Sequence, residues 1–182
     1  MRVITGSARG KKLITLEGND VRPTSDMVKE AIFSIVQFEV AGAKVLDLFA
    51  GSGQLGIEAL SRGASLAVFV DSSTDSVKVV RENLKNTGLA QNSRVVAMDS
   101  FAYLGGCKDN FDIVFLDPPY SKDIIPQILP KVVEKLNDNG IIVCEHDKKD
   151  LLPEQAGDFC RFRTYSYGRI ALTTYRRRNE EE

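Results

Sequence analysis

The chain has 182 residues, a formal net charge of −1 and a pI of about 6.0. This length suits one ordinary domain that buries its own core, and 43% apolar with 27% charged residues is typical of a soluble globular protein. The charge balance excludes a generally basic coat for nucleic acid, so any such binding needs a local patch. No stretch has the length and apolarity of a membrane span, and the N-terminus lacks a signal peptide.

Cysteine and histidine content bounds the chemistry further. Three widely spaced cysteines and a single histidine, His146, favour neither a disulfide framework nor a zinc site. We therefore expect no metal, a reduced compartment and a cytoplasmic protein. His146 is expected to be a hydrogen-bonded structural residue rather than a general base.

The first 40 residues predict a short β-hairpin followed by a helix. Strands at 3–5 and 13–16 flank a basic turn that contains Gly6 and Gly10. The helix begins near Arg22-Pro23-Thr24-Ser25-Asp26, where Thr24 or Ser25 can provide the N-cap. Residues 1–12 contain basic side chains and no acid, which makes this segment a candidate contact surface for a polyanion.

Residues 41–182 show a strand-then-helix rhythm. The apolar strands are separated by helices, which indicates a parallel sheet covered on both faces. A terminal hairpin at 159–166 and 170–175 predicts antiparallel strands at the end of that sheet. The strands are predicted at 45–49, 66–71, 95–99, 111–116 and 141–144, and the helices at about 54–62, 74–86 and 124–136. We expect one α/β domain, with 1–40 as an extension on a core of 41–182.

Ligands of such sheets bind beyond the carboxyl ends of the strands, where the strand order reverses. With order 3-2-1-4-5, the turn after the first strand lies beside the turn after the fourth. The first of these turns is glycine-rich, and the second is Asp117-Pro118-Pro119-Tyr120. A Pro-Pro turn can also serve only to end a strand, because proline cannot donate to a sheet ladder.

The glycine-rich turn leaves two cofactors open. Gly51, Gly53 and Gly56 form G-x-G-x-x-G, and Asp71 lies 20 residues beyond Gly51, as in nicotinamide enzymes. Asp47, however, precedes the first glycine by four residues, and a carboxylate there repels a pyrophosphate but attracts a cation. S-adenosylmethionine carries a sulfonium and an ammonium and no phosphate. In that hypothesis the cofactor contacts are Asp47, Phe49, Ala50, Gly51, Gly53, Asp71, Ser72, Asp99 and Ser100, with Asp71 on the ribose and the last two on the adenine.

The Asp117 turn suits chemistry on an exocyclic amine. The lone pair of such an amine is delocalised into the base, so the nitrogen is a poor nucleophile. A carboxylate at Asp117 and the carbonyl of Pro118 can both accept hydrogen bonds from the NH2 group and favour a tetrahedral nitrogen. Pro119 stiffens the corner, and Tyr120 can stack on an unpaired base.

These motifs together resemble a known family. Asp47-Leu48-Phe49-Ala50-Gly51-Ser52-Gly53 with Asp117-Pro118-Pro119-Tyr120 is similar to the motif pair of amino-directed methyltransferases that use S-adenosylmethionine. The start of the chain, with Arg9-Gly10-Lys11-Lys12-Leu13 and residues 22–26, resembles the bacterial 16S rRNA guanine-N2 methyltransferases of the RsmD type. The family commonly has glutamate where this chain has Asp71.

The resemblance implies a Rossmann-like class I methyltransferase fold and a guanine of small-subunit rRNA, within an assembled or assembling 30S subunit, as the substrate. We expect a monomer, with Arg9, Lys11, Lys12 and Arg22 as the RNA contacts. A DNA adenine or other base methyltransferase and a nucleotide-binding module without catalysis remain open, as does a dinucleotide oxidoreductase. The arginine run at 176–178 is either a further RNA contact or a solvated tail.

Overall fold

The computed structural model describes residues 1–17, 24–120 and 123–178, which form one eight-stranded sheet with helices packed against it. The strand order is β3-β2-β1-β4-β5-β8-β7-β6. The strands are β1 (Lys44–Asp47), β2 (Leu66–Asp71), β3 (Ser93–Ala97), β4 (Phe111–Leu116), β5 (Leu136–Asp147), β6 (Gln155–Ala156), β7 (Phe159–Tyr167) and β8 (Ile170–Arg177). The α-helices are α1 (Asp26–Ile35), α2 (Gln54–Ser61), α3 (Thr74–Thr87), α4 (Ser100–Gly106) and α5 (Ile124–Val132).

The sheet has the predicted topology. β1 pairs in parallel with β2 on one side and β4 on the other, and β2–β3 and β4–β5 are also parallel. β8 then pairs antiparallel with β5, and β7 with β8. The strand order therefore reverses at β1 and β4, and at their carboxyl ends Asp47 lies beside Phe115, one residue before the end of β4. The predicted α/β fold with an antiparallel C-terminal hairpin is confirmed.

Alternating side chains of the strands fill two hydrophobic layers, one on each face of the sheet. On one face Val45, Ile113 and Val143 pack beneath α1, α2 and α3. On the other face Leu46, Val114 and Ile142 pack beneath α4 and α5. Strands that are buried on both faces need apolar residues at every position, which explains why they read as continuous apolar runs.

The N-terminal hairpin is smaller than predicted. The structure has a single antiparallel bridge between Arg2 and Lys12 instead of two strands. The segment is held by contacts to α2 as well: Gly6 lies so close to Ser61 that an added Cβ would stand 1.8 Å from its carbonyl oxygen. Side-chain anchoring on α2 replaces the ladder bonds that a longer hairpin would form.

Three other predictions differ in detail. The prediction left residues 98–110 without a helix, yet Asp99 caps the short helix α4 by accepting a hydrogen bond from the amide of Ala102 at 3.0 Å. β5 is longer than predicted and begins at Leu136, because a 3-10 turn at Val133–Lys135 ends the preceding helix early. Of the two proposed N-cap residues of α1, Ser25 caps it. Arg22 and Pro23 lie outside the described residues.

None of the helices in the described part of the chain has the length and apolarity needed to cross a bilayer.

Candidate active site

A cavity of about 460 Å³ opens at the carboxyl ends of β1, β2, β3 and β4. Its volume lies within the range of about 300–1,000 Å³ that is usual for small-molecule sites. The cavity brings together both predicted turns. Its lining includes Asp47, Phe49, Ala50, Gly51, Asp71, Ser72, Asp99 and Ser100 from the predicted cofactor set, and Asp117, Pro118, Pro119 and Tyr120.

The glycine-rich turn has the backbone that its sequence requires. Gly51 and Gly53 have φ angles of +56° and +81°, which residues other than glycine rarely adopt. Gly53 is the N-cap of α2 and does not itself line the cavity. Gly56 allows α2 to pack on β2, because a Cβ there would stand 2.3 Å from the ring of Phe69. The three glycines therefore build the turn, and Gly51 also borders the cavity.

Asp71 holds the turn in place. Its Oδ2 accepts a hydrogen bond from the amide of Gly51 at 2.9 Å, and its Oδ1 accepts one from the amide of Ser73 at 2.9 Å. Each carboxylate oxygen can accept more than one hydrogen bond, so Asp71 retains acceptor capacity toward the cavity. Ribose hydroxyls donate hydrogen bonds and could use these acceptor positions.

Asp47 is the most deeply buried acid of the cavity, with 1% of its surface exposed. Its Oδ2 accepts a hydrogen bond from the amide of Gly56 at 3.0 Å. Burial raises the pKa of Asp47 to about 7, the Gly56 hydrogen bond opposes this rise, and the negative charge of Asp71 adds to it. A cation in the cavity would favour the ionised form, as the sequence reasoning requires.

Asp99 and Ser100, the two residues predicted to contact the adenine, already form hydrogen bonds within the protein. The carboxylate of Asp99 caps α4, and the hydroxyl of Ser100 donates a hydrogen bond to the carbonyl of Leu48 at 2.9 Å. Phe101, which the sequence analysis did not select, also lines the cavity and adds an aromatic ring beside these two residues.

Gln54 is a second residue that the sequence analysis did not select. It is the first residue of α2, is 7% exposed, and lines the cavity. Its Oε1 is buried and has no hydrogen-bond partner among the described residues. An unpaired buried polar atom costs about 1–3 kcal/mol, so a ligand with a donor at this point would satisfy it. The acids and Gln54 thus fit a ligand that carries hydroxyl and ammonium groups.

The Asp117 turn lines the same cavity at the carboxyl end of β4. Asp117 is half-buried, and Tyr120 reaches past it to donate a hydrogen bond from its hydroxyl to Glu145 Oε1 at 3.1 Å. Burial raises the pKa of Asp117 well above its ordinary value, and the negative charges of Glu145 and Asp47 raise it further. The hydroxyl of Thr24, the residue before the cap of α1, lies 3.3 Å from Asp117 Oδ2.

His146 takes no part in this arrangement. Its Nε2 lies 2.8 Å from the hydroxyl of Thr173, and its Nδ1 lies 2.9 Å from the carbonyl of Asp147. The ring is buried and hydrogen-bonded at both nitrogens, as expected for a structural histidine.

The turn that contains Arg9 lies beside the end of α2 that is farther from the cavity. Arg9, Lys11 and Lys12 are exposed, and none of them forms an ion pair with the described residues. The amide of Ala8 bonds to Ser61, the last residue of α2, whereas Gln54 at its start faces the cavity. The eight residues of α2 span about 12 Å, so the turn at residues 6–9 stands roughly that far from the start of the helix at the cavity. Lys12 lies nearer, because the amide of the next residue, Leu13, bonds to the carbonyl of the cavity-lining Met1.

Three of the six arginines between residues 161 and 178 form ion pairs within the described part of the chain. Arg161 pairs with Glu154, Arg176 with Glu39, and Arg177 with both Asp138 and Asp158. This pairing favours the solvated-surface interpretation of these residues over a second RNA contact.

The open, mostly parallel sheet, the glycine-rich turn after β1 and the acids at successive strand ends define a Rossmann-like fold, and its structural neighbours include methyltransferases. A solved structure described as "Putative methyltransferase yhhF from Escherichia coli" superposes with a TM-score of 0.86 at 32% identity, covering 97% of each chain. The family model named conserved hypothetical protein 95 matches residues 1–176, and the chain belongs to this family, which contains the RsmD proteins.

Two relatives extend the likeness over the full length. The chain is 40% identical to the Bacillus subtilis protein named "Putative rRNA methyltransferase YlbH", over 98% of this chain and 100% of that one. It is 32% identical to the ribosomal RNA small subunit methyltransferase D of Escherichia coli K12, over 100% of this chain and 92% of that one.

Proposed function

We propose that the protein transfers a methyl group from S-adenosylmethionine to the N2 amine of a guanine in 16S rRNA. The observation that carries the proposal is the shared cavity: the acids suited to a cationic cofactor and the amine-orienting turn at Asp117 line one space. The names of the relatives from Bacillus subtilis and Escherichia coli support rRNA as the substrate class.

The residues present suit each part of the cofactor. Asp71 has free acceptor capacity for the ribose hydroxyls, Asp47 provides negative charge for a cationic group, and Gln54 Oε1 provides an unused acceptor. Bound there, S-adenosylmethionine would supply an electrophilic methyl group on a sulfonium sulfur that keeps the electron pair of the broken C–S bond. The chain itself has to orient the acceptor amine and exclude water.

Asp117, Pro118 and Tyr120 perform that orientation. The carboxyl of Asp117 and the backbone carbonyl of Pro118 accept the two N–H bonds of the amine, which directs the nitrogen lone pair toward the methyl group. Tyr120 stacks on the unpaired base, while its hydroxyl stays bonded to Glu145. Arg9, Lys11, Lys12 and Arg22 contact the phosphate backbone and position the RNA without reading its sequence.

The deciding experiment supplies labelled S-adenosylmethionine together with hypomethylated 30S subunits, free 16S rRNA or DNA, and maps the labelled base. We expect label on the N2 of one guanine in the 30S arm. Label on an adenine or in the DNA arm would overturn the substrate assignment. Calorimetry that found tighter binding of NAD than of S-adenosylmethionine would overturn the cofactor assignment.

Two variants assign the roles of the residues. Asp117→Ala is expected to lower the rate by about 10²–10³-fold, as for loss of one preorganised hydrogen-bonding group, with cofactor affinity nearly retained. Arg9→Glu is expected to abolish rRNA methylation while cofactor affinity stays unchanged. Loss of cofactor binding in Arg9→Glu would remove that residue from the RNA surface.

A further inference from the structure

One hydroxyl group lies between two carboxyl groups at the edge of the site. Thr24 Oγ1 is 3.0 Å from Glu145 Oε2 and 3.3 Å from Asp117 Oδ2. Thr24 and Glu145 are each only 4% exposed, whereas Asp117 faces the cavity. The two acids are neighbours because β4 and β5 pair in parallel, with Leu116 beside Cys144 in the preceding register position.

The number of hydrogens available to these three side chains favours a bound proton. A threonine hydroxyl has one hydrogen, so Thr24 can make one full hydrogen bond to a carboxylate or share that hydrogen weakly between the two. Both contacts become full hydrogen bonds when one carboxyl carries a proton and donates it to the hydroxyl oxygen. Glu145 also accepts a hydrogen bond from Tyr120 and is therefore the better-stabilised anion. The arrangement that satisfies every atom has a protonated Asp117, which donates to Thr24, which donates to an ionised Glu145.

The surrounding charges favour holding that proton. The titratable groups that face Asp117 and Glu145 are Asp47 on β1 and Tyr120 in the turn after β4. His146 on β5 bonds to Thr173 and not to either acid. In the described part of the chain no lysine or arginine forms an ion pair with either acid. Burial raises the pKa of Glu145 as well, against the hydrogen bonds from Thr24 and Tyr120.

The two acids also face different spaces. Asp117 lines the large cavity, and Glu145 lines a separate crevice of about 20 Å³ together with His146 and Asp150. That volume is enough for about one water molecule. Pro118, Pro119 and Tyr120 form the wall between the two spaces and line both of them. Thr24 therefore connects an acid on the substrate side to an acid on the far side of the wall.

We propose that Asp117, Thr24 and Glu145 form a proton relay that carries the proton released by the methylated amine out of the cavity. The proposal rests on the methyltransferase function given above. After methylation the amine nitrogen is cationic, and the N–H electron pair returns to nitrogen as Asp117 Oδ1 takes the proton. The Oδ2 proton of Asp117 moves to Thr24 Oγ1, and the Thr24 proton moves to Glu145 Oε2. The carboxyl pair changes from one negative charge to none, which matches the loss of one positive charge from the nitrogen.

Thr24 and Glu145 act through Asp117 and are thus positioning residues. The first test needs neither cofactor nor RNA: carbon-13 NMR of the side-chain carboxyl groups as a function of pH. The wild-type pair is expected to titrate in two coupled steps, the upper one above the range of an ordinary carboxyl. Glu145→Gln should abolish that upper step and leave a single titration at Asp117. An Asp117 titration that is unchanged in Glu145→Gln would overturn the shared proton.

The second test measures steady-state methylation at saturating cofactor and RNA, because the relay acts after methyl transfer and a single-turnover rate of that transfer would not include it. Thr24→Val keeps the shape of the side chain but removes the hydroxyl, and Thr24→Ser restores it. We expect Thr24→Val and Glu145→Gln to be slower by about tenfold or more, and Thr24→Ser to stay within about twofold of wild type. Equal rates for Thr24→Val and Thr24→Ser would overturn the relay. If wild type methylates none of the substrates, the proposed function fails while the NMR titration still decides whether the proton is shared.

Discussion

Replacing Asp47 by asparagine is expected to have opposite effects on folding stability and on cofactor binding. Asp47 is buried, and no described basic side chain forms an ion pair with it. Its pKa of about 7, against an ordinary value of 3.8, means that the folded protein binds this proton more tightly than the unfolded chain. Stability is therefore lost as pH rises from about 4 to about 7.

The size of the loss follows from the two pKa values. The difference between about 7 and 3.8, at about 1.4 kcal/mol per pH unit, corresponds to about 4 kcal/mol of unfavourable free energy at pH 8. An asparagine side chain at this position would be neutral at every pH, and its amide oxygen could still accept the hydrogen bond from Gly56. We expect Asp47→Asn to be more stable than wild type by up to about 4 kcal/mol at pH 8 and by little at pH 4.

Urea unfolding at several pH values measures this difference, and the matched control is Asp75→Asn. Asp75 has 82% of its side chain exposed, so its substitution should leave the pH dependence unchanged. Calorimetry should show the opposite effect on function, with S-adenosylmethionine bound at least about tenfold more weakly by Asp47→Asn because the cation loses its carboxylate. An Asp47→Asn protein that is no more stable than wild type at pH 8, or that binds the cofactor normally, would refute the reasoning.

Three further substitutions test the cavity and its supports. Gln54→Leu removes the unpaired oxygen and keeps a side chain of similar volume. Calorimetry should show about tenfold weaker cofactor binding, and urea unfolding should show unchanged or higher stability; unaltered affinity would mean that no ligand contacts this oxygen. Gly56→Ala places a Cβ against Phe69, and urea unfolding should show a loss of about 1–3 kcal/mol, whereas no loss would mean that α2 can move away from β2. Glu58→Gln leaves the buried ammonium group of Lys29 without its anion. Urea unfolding should show a loss of about 3–5 kcal/mol in the free energy of unfolding, and a variant as stable as wild type would contradict the buried ion pair.

The sheet and its order were predictable because their signals are local. The continuous apolar runs identified β2 and β4 to the residue, and α3 ends at Thr87, one residue beyond the predicted helix, where Gly88 has a φ of +73°. Strand pairing then followed from the rule that strands linked by helices run parallel. The predicted order therefore places the glycine-rich turn and the Asp117 turn on one edge of the sheet, as the structure has them.

What the sequence could not supply are contacts between distant segments. Thr24 looked like a cap of α1, yet its hydroxyl binds an acid 93 residues away and another 121 residues away. Glu145 follows the predicted strand at 141–144, which the predicted order places beside the strand that precedes Asp117, but no local pattern shows that the two carboxyl groups contact one hydroxyl. Gln54 occupies a variable position inside G-x-G-x-x-G, and only its burial against the cavity reveals the unpaired oxygen.

The N-terminal segment has two roles that have to be separated in any experiment on RNA binding. Met1, Thr15 and Leu16 line the cavity, so the segment is part of the site as well as a basic surface. Its turn is fixed to α2 through Glu58, which accepts hydrogen bonds from the amides of Ile4 and Thr5, each at 2.9 Å.

A substitution that loosens this anchor would therefore disturb the cavity and the basic surface proposed to contact RNA together. The side chain of Arg9 is exposed, and the residue joins the turn through its backbone amide, which donates a hydrogen bond to the carbonyl of Gly6. Charge reversal at Arg9 thus changes the surface potential without moving the cavity lining, whereas a variant at Gly6 or Ser61 would change both. Only the first kind of variant can distinguish loss of RNA contact from loss of the active site.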